Sequence, residues 1–174
     1  MNNFYKSIWL YWTFRVTVCS VVLASTLSMF ITIYLYMRSS MVSLDAKVLD
    51  ALVDIWLFWF SISWSLTILI ALFRSLKYIF NRCFDGYMFK LFDCKSSLEI
   101  EVVGYGDLVK VWRKYFLYLV WIVMAEVVVA FSIFYFFDFK WFNIYLLYSF
   151  ILVAGYFVLT ILPSKVKNIK VVRC

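Results

Sequence analysis

Glu126 is the one acidic or basic residue that lies deep within a long apolar run of this sequence. An ionised carboxylate is costly in hydrocarbon, so we expect the side chain to face the protein interior or to carry a proton. In that position a carboxyl group can bind a proton or a cation, or can hydrogen-bond a partner helix. A neutral carboxyl group bonded to a serine or threonine in a neighbouring span, such as Ser25 or Ser63, is the purely structural alternative.

Motifs for catalysis or metal binding do not occur in the sequence. It contains no histidine, and it has no GxSxG, P-loop or HExxH pattern. The cysteines are Cys19, Cys83, Cys94 and Cys174. They lack CxxC spacing, and without histidine a zinc site would need an unusual ligand set. We therefore predict that the protein is not an enzyme, that it uses no cofactor or metal, and that its cysteines serve as small soft residues, reduced wherever they face the cytoplasm.

The composition indicates a membrane protein. Of the 174 residues, 66% are hydrophobic and 23% are aromatic, and the mean hydropathy is +0.92. A soluble domain has only about half of its residues apolar. Runs long enough to cross a bilayer occupy 16–37, 55–73, 115–137 and 143–162. We predict an all-α membrane protein with four transmembrane helices.

These runs divide the chain into segments of alternating character. They are an interfacial N-terminal segment at 1–15, a first transmembrane hairpin at 16–73, a basic loop at 74–114, a second transmembrane hairpin at 115–162 and a basic tail at 163–174. Pro163 is expected to end the fourth helix. In the outer loop at 38–54, the apolar positions fit the period of a short surface helix.

Basic residues are concentrated on one side of the predicted topology. The segments 1–15, 74–114 and 163–174 together hold 14 of the 17 lysines and arginines. Because basic loops stay in the cytoplasm, we predict that both termini and the central loop lie inside. The net charge of +7 then reflects topology, and nucleic-acid binding is not expected.

The basic tail is predicted to contact lipid. Its cations are Lys165, Lys167, Lys170 and Arg173. A cluster of this kind beside a transmembrane helix attracts anionic headgroups.

A stripe of small residues follows the first span. Ser20, Ala24 and Ser28 recur at i, i+4 and i+8, a pattern that lets another helix approach closely. We interpret it as a packing face, directed inside the molecule or towards a partner; small residues are also common in spans and align by chance.

The central loop contains a predicted β-hairpin at 98–111. Residues 98–102 alternate with period two, glycines follow at the turn, and 108–111 could return as a second strand. Residues 102–107 also resemble the selectivity filter of potassium channels. A filter enters from the outer face, whereas the charge distribution places this loop inside, so we favour the hairpin.

The predicted topology resembles that of two groups of small bacterial inner-membrane proteins. One group is the plasmid entry-exclusion proteins of the TraS kind, which block redundant conjugative transfer. The other is the immunity proteins against pore-forming colicins. The resemblance covers the whole chain in topology and rests on no motif. It implies binding of an incoming protein within the membrane, no cofactor, and a partner-facing helix surface that Glu126 or the small-residue stripe would suit.

From this resemblance we predict a non-enzymatic protein of the bacterial inner membrane that acts by protein–protein contact, as in entry exclusion or immunity. Two alternatives stay open: a small transporter or ion channel that uses Glu126, and an accessory or assembly subunit of a larger membrane complex. The expected partners are the lipid bilayer and either another membrane protein or further copies of this chain.

Overall fold

The computed structural model describes residues 2–39, 45–92, 100, 103–137, 144–166 and 168–174. In this part of the chain the elements are α1 (Asn2–Arg38), α2 (Ala46–Lys77), β1 (Tyr87–Leu91), α3 (Tyr105–Phe137), α4 (Ile144–Lys165) and β2 (Ile169–Arg173). All four helices are long and apolar enough to cross a membrane. The prediction of an all-α membrane protein with four transmembrane helices is therefore confirmed.

Three of the helices are much longer than a single crossing requires. α1, α2 and α3 contain 37, 32 and 33 residues, or about 50 Å each, against ~30 Å of hydrocarbon. α1 therefore takes in the predicted interfacial segment from Asn2 onward. α2 begins at Ala46, so the described end of the predicted outer loop forms the first turns of a span instead of a separate surface helix.

The chain forms two compact units, Phe14–Ser75 and the combination of Met1–Thr13 with Leu76–Cys174. The first unit holds most of α1 and α2. The second holds the first residues of α1 together with α3, α4 and both strands. Both units contain buried apolar side chains, such as Leu72 in the first and Leu108 in the second.

In the second unit, the start of α1 packs closely on α4. The indole N–H of Trp9 donates to the carbonyl of Leu152 at 2.9 Å. One turn later, the ring of Trp12 lies directly against Gly155, where a Cβ atom would overlap it. A residue without a side chain is needed for this approach, which accounts for a glycine within the fourth span.

The two strands form a small antiparallel sheet in which Leu91 lies opposite Ile169. Alternate residues of β1, Phe89 and Leu91, are buried. The ring of Phe4 meets that of Phe89 edge-on, with centroids 5.2 Å apart. The basic tail at 163–174 thus contributes the second strand of a sheet whose first strand, β1, packs on the start of α1.

The sheet also brings two distant cysteines together. Cys83 and Cys174 form a disulfide with a Cα–Cα distance of 6.1 Å, and the N–H of Cys174 donates to the carbonyl of Gly86 at 3.0 Å. The expectation that the cysteines are only small soft residues is wrong for this pair. Because 91 residues separate them along the chain, only the pairing of the two strands makes them neighbours.

The predicted hairpin at 98–111 is wrong in its second strand. From Tyr105 onward these residues belong to α3, and the first predicted strand lies outside the described residues except for its middle residue. Leu108 and Val111 are buried, and their spacing is that of one face of a helix. The apolar residues therefore alternate with period two only before α3 and follow the helical period within it. The filter-like residues include the first turn of α3, which differs from the carbonyl-lined loop of a channel filter.

α4 continues to Lys165, past the proline that is expected to end it. Pro163 lacks one N–H, so it removes a single hydrogen bond from the last turn. The N–H of Val166 still donates to the carbonyl of Leu162 at 3.0 Å. The helix therefore ends just beyond the proline.

Candidate functional site

Helix α3 has two faces of opposite character. Leu108, Val111, Tyr115 and Leu119 are all buried, and their spacing of three or four residues places them on one side of the helix. Glu126 follows Leu119 by two turns and continues the same side. We call this side the inner face of α3.

The carboxyl group of Glu126 lies on the inner face, near the middle of the apolar part of α3. About 18 Å of helix separates it from Lys114, the last basic residue before the apolar run. Both carboxylate oxygens are buried, and neither has a hydrogen-bond partner among the residues that the structure describes. The two oxygens are therefore covered by protein, although the residue as a whole is only partly buried. The serine hydrogen bond of the structural alternative is not among its described contacts.

Two more polar atoms at the inner face lack partners. Tyr115 and Trp12 are fully buried, and their rings meet edge-on with centroids 6.4 Å apart. Within the described chain, neither the Tyr115 hydroxyl nor the Trp12 indole N–H has a hydrogen-bond partner. Buried polar groups without partners are rare in folded proteins and call for a water, a ligand or a functional role. Glu126 is the only one of these groups that can carry a negative charge at neutral pH.

The opposite side of α3 exposes large apolar side chains. Leu117, Trp121, Met124 and Val128 are between 55% and 69% exposed, and they recur at heptad spacing. We call these four residues the outer seam. α3 is also the least covered span, since 11% of its most apolar window is buried, against 28% in each of the other three. The outer seam is therefore open to lipid or to another helix.

The predicted small-residue stripe has a different environment, within the unit Phe14–Ser75. Ser20, Ala24 and Ser28 are fully buried. Trp64 on α2 donates its indole N–H to the Ser20 hydroxyl at 3.1 Å, and the Thr67 hydroxyl donates to the Ser20 carbonyl at 3.1 Å. The Ser28 hydroxyl bonds back to the Ala24 carbonyl at 2.8 Å. The stripe begins at a contact between α1 and α2 in which the polar side chains are paired.

The predicted headgroup cluster does not form a free tail. Lys167 lies outside the described residues, and Lys165 is exposed at the end of α4. In β2, the Lys170 ammonium lies 5.2 Å from the ring centroid of Phe92. The Arg173 guanidinium likewise lies 5.9 Å from the ring centroid of Tyr87 in β1. Two of these cations are therefore held against aromatic rings of the sheet.

Sequence reasoning missed the outer seam and the partner of the C-terminal strand. The heptad spacing that begins at Leu117 can be found in the sequence alone, because it depends only on residue type and position. The β-branched residues of β2 indicate a strand, but no local signal identifies β1 as its neighbour. Comparisons with protein-family models, with curated proteins and with solved structures give no match for this chain.

Proposed function

We propose that this is a non-enzymatic, multi-pass protein of the bacterial inner membrane that acts by binding another protein within the membrane. The observation that carries the proposal is the outer seam on the least covered span. Side chains at heptad spacing are arranged to insert between those of a second helix. A partner helix would cover apolar surface that this chain leaves open.

Trp121 distinguishes a partner helix from lipid as the cover for the seam. It is the most exposed seam residue, at 69%, and it lies about 10 Å along the helix beyond Lys114. Tryptophan in spans prefers the headgroup level, and its N–H prefers a hydrogen-bond partner. Lipid tails offer no acceptor at this depth, whereas a side chain or carbonyl of a second helix does.

Photo-crosslinking in native membranes tests the seam. A photoreactive amino acid at Trp121 should give a crosslinked product of defined mass, identified by mass spectrometry. The matched control places the same amino acid at Leu66 of α2, which is 63% exposed, and should crosslink only to lipid. Equal products from both positions, or no protein product from Trp121, would contradict a seam-mediated contact.

The biological process that we propose is entry exclusion in conjugation or immunity to an incoming membrane-active protein. It follows from the resemblance of the four-span topology to proteins with these activities. Recipient cells that produce the chain should acquire a plasmid carrying its gene less often, or should survive a pore-forming colicin better, than cells with an empty vector. Unchanged values in both assays would contradict these processes and favour an accessory subunit of a larger complex.

A second candidate function is proton or cation transport through Glu126. The unpartnered carboxylate oxygens on the inner face support it, because an intramembrane acid often marks an ion pathway. In vesicles that contain the purified protein, Glu126→Gln should abolish proton uptake if the carboxyl group carries the proton. Uptake at the level of protein-free vesicles in both the original chain and the variant would exclude this function.

For the orientation, we propose that both termini and the sheet are cytoplasmic, as the distribution of basic residues supports. The Cys83–Cys174 disulfide argues against this orientation, because cytoplasmic thiols are kept reduced, so the state of these two cysteines in cells tests the proposal. In growing cells, both thiols should react with a membrane-permeant maleimide and resist an impermeant one. A cysteine introduced at Ser39, at the opposite end of α1, should react with both reagents. A closed disulfide in growing cells would instead place the sheet outside the cytoplasm.

A further inference from the structure

A basic recess lies where α3 meets the end of the sheet. Its volume is about 220 Å³. Asp107, Lys110, Val111 and Lys114 line it from one side of α3, because they recur at i, i+3, i+4 and i+7. Arg113 lines it as well. The α3 wall of the recess is thus mainly cationic.

The opposite wall is largely apolar. Leu91 and Phe92, at the end of β1, line it together with Val166 and Asn168. The N–H of Phe92 donates to the carbonyl of Asn168 at 2.8 Å, which holds the two chain segments together. Ile100 also lines the recess, and Ile100 and Phe92 are only partly buried, so their side chains are accessible to a ligand. A cationic wall that faces an apolar wall suits a ligand with a charged group and an apolar part.

The position of the recess along the helices matches the lipid headgroups. Lys114 immediately precedes the apolar run of α3, and Val166 immediately follows Lys165, the last residue of α4. Ends of apolar runs lie at the membrane–water boundary. The recess therefore lies where α3 and α4 leave the hydrocarbon core of the membrane.

Within the described part of the chain, the positive charge of the recess is only partly neutralised. Lys110 pairs with Asp107 at 3.3 Å, and an exposed pair of this kind contributes little to stability. Arg113 and Lys114 form no ion pair or hydrogen bond with any residue in the described part of the chain. Two cations without an ion pair in the described part of the chain therefore line a recess at the headgroup level.

We propose that this recess binds the headgroup of an anionic phospholipid. Arg113 and Lys114 contact the phosphate oxygens, for which the planar guanidinium offers two parallel N–H donors. Phe92 and Ile100 contact the glycerol and the first acyl carbons. We favour a lipid over free phosphate because of the apolar wall. A lipid has carbon atoms that can contact this wall, whereas inorganic phosphate has no apolar part. The site lies at the polar end of α3, so it does not depend on the outer seam or on Glu126.

Native mass spectrometry of the full-length chain tests the proposal. The chain is released from nanodiscs of phosphatidylcholine with a minor fraction of phosphatidylglycerol, and the bound lipid is counted. The double variant Arg113→Gln/Lys114→Gln should bind phosphatidylglycerol about tenfold more weakly, as expected when two cations near a headgroup are lost. The matched control, Lys6→Gln/Arg74→Gln, removes the same charges from exposed positions in segments assigned to the same side and should stay within about twofold of the original.

Each alternative result overturns the proposal. Equal weakening in both double variants would mean that only net charge matters, and unchanged binding in the recess variant would mean that the recess is not a site. Displacement of the lipid by inorganic phosphate would identify a site for free anions. If the double variant fails to fold, the single variant Arg113→Lys replaces it in the test. This substitution keeps the positive charge and removes only the planar guanidinium with its two parallel N–H donors. It should then lose part of the affinity for phosphatidylglycerol, and full retention would contradict the assigned contact.

Discussion

The contact of α1 with α2 at Ser20 and the inner face of α3 at Glu126 both place polar atoms in apolar surroundings. At Ser20, the side chains of Trp64 and Thr67 donate to the hydroxyl and the carbonyl of the same residue. At Glu126, both carboxylate oxygens are buried without a hydrogen-bond partner in the described chain. The polar groups at Ser20 thus pair with one another, and we call this contact the closed site. The carboxyl group of Glu126 has no such pair in the described chain, and we call it the open site.

This difference distinguishes a contact that packing explains from a polar group that is a candidate for function. Hydroxyl and indole groups pair within the chain, and small residues let the helices approach, so the Ser20 contact is explained by stability alone. A buried carboxyl group without a partner lowers stability. Its presence is explained when a proton, a cation, water or a partner supplies the missing interaction, which makes the inner face of α3 the better candidate for function.

The largest expected effect comes from breaking the closed site. Ser20→Leu inserts a bulky side chain at a fully buried position against Trp64 and Thr67. It should lower the free energy of unfolding by about 2–3 kcal/mol through overpacking. Equilibrium unfolding in mixed detergent micelles measures the change. Val22→Leu, on the same helix at a 55% exposed position, is the control. A similar loss in both variants would argue against the contact.

Removing the open polar group should have the opposite sign. Glu126→Leu replaces an unpartnered buried carboxyl group with an apolar side chain, so the free energy of unfolding should rise by about 1–2 kcal/mol. The same unfolding measurement reports it. A variant less stable than the original chain would mean that the carboxyl group has a partner within the protein.

A smaller effect is expected from the hydrogen bond between Trp64 and Ser20. A double-mutant cycle with Trp64→Phe and Ser20→Ala should give a coupling energy of about 0.6 kcal/mol, the size typical of hydrogen bonds between helices in membranes. No coupling would indicate that close packing, rather than the hydrogen bond, holds α1 against α2 at this point.

The smallest change in stability is expected from Glu126→Gln. An amide is a neutral group of the same shape, so it reproduces a protonated carboxyl group, and the free energy of unfolding should change by less than about 1 kcal/mol. A large gain in stability on this substitution would show that the carboxyl group is ionised in the original chain. In combination with Glu126→Leu, this variant separates the effect of charge from that of polarity.

Sequence reasoning was most successful for the spans. The apolar run at 143–162 corresponds closely to α4, Ile144–Lys165, and each of the other three runs lies within a longer helix. It was less successful at the polar ends of the helices. There, residues from Tyr105 onward continue a helix instead of forming a strand, because buried residues such as Leu108 recur at helical spacing.

The sequence by itself determined that this chain is a four-span membrane protein, because transfer into a bilayer depends on the summed hydropathy of neighbouring residues. Only the tertiary structure decided that β1 pairs with β2 and that Cys83 meets Cys174. It also decided that the oxygens of Glu126 are buried without a partner in the described chain. These features depend on contacts between residues far apart in the chain, and neither local composition nor periodicity specifies such contacts.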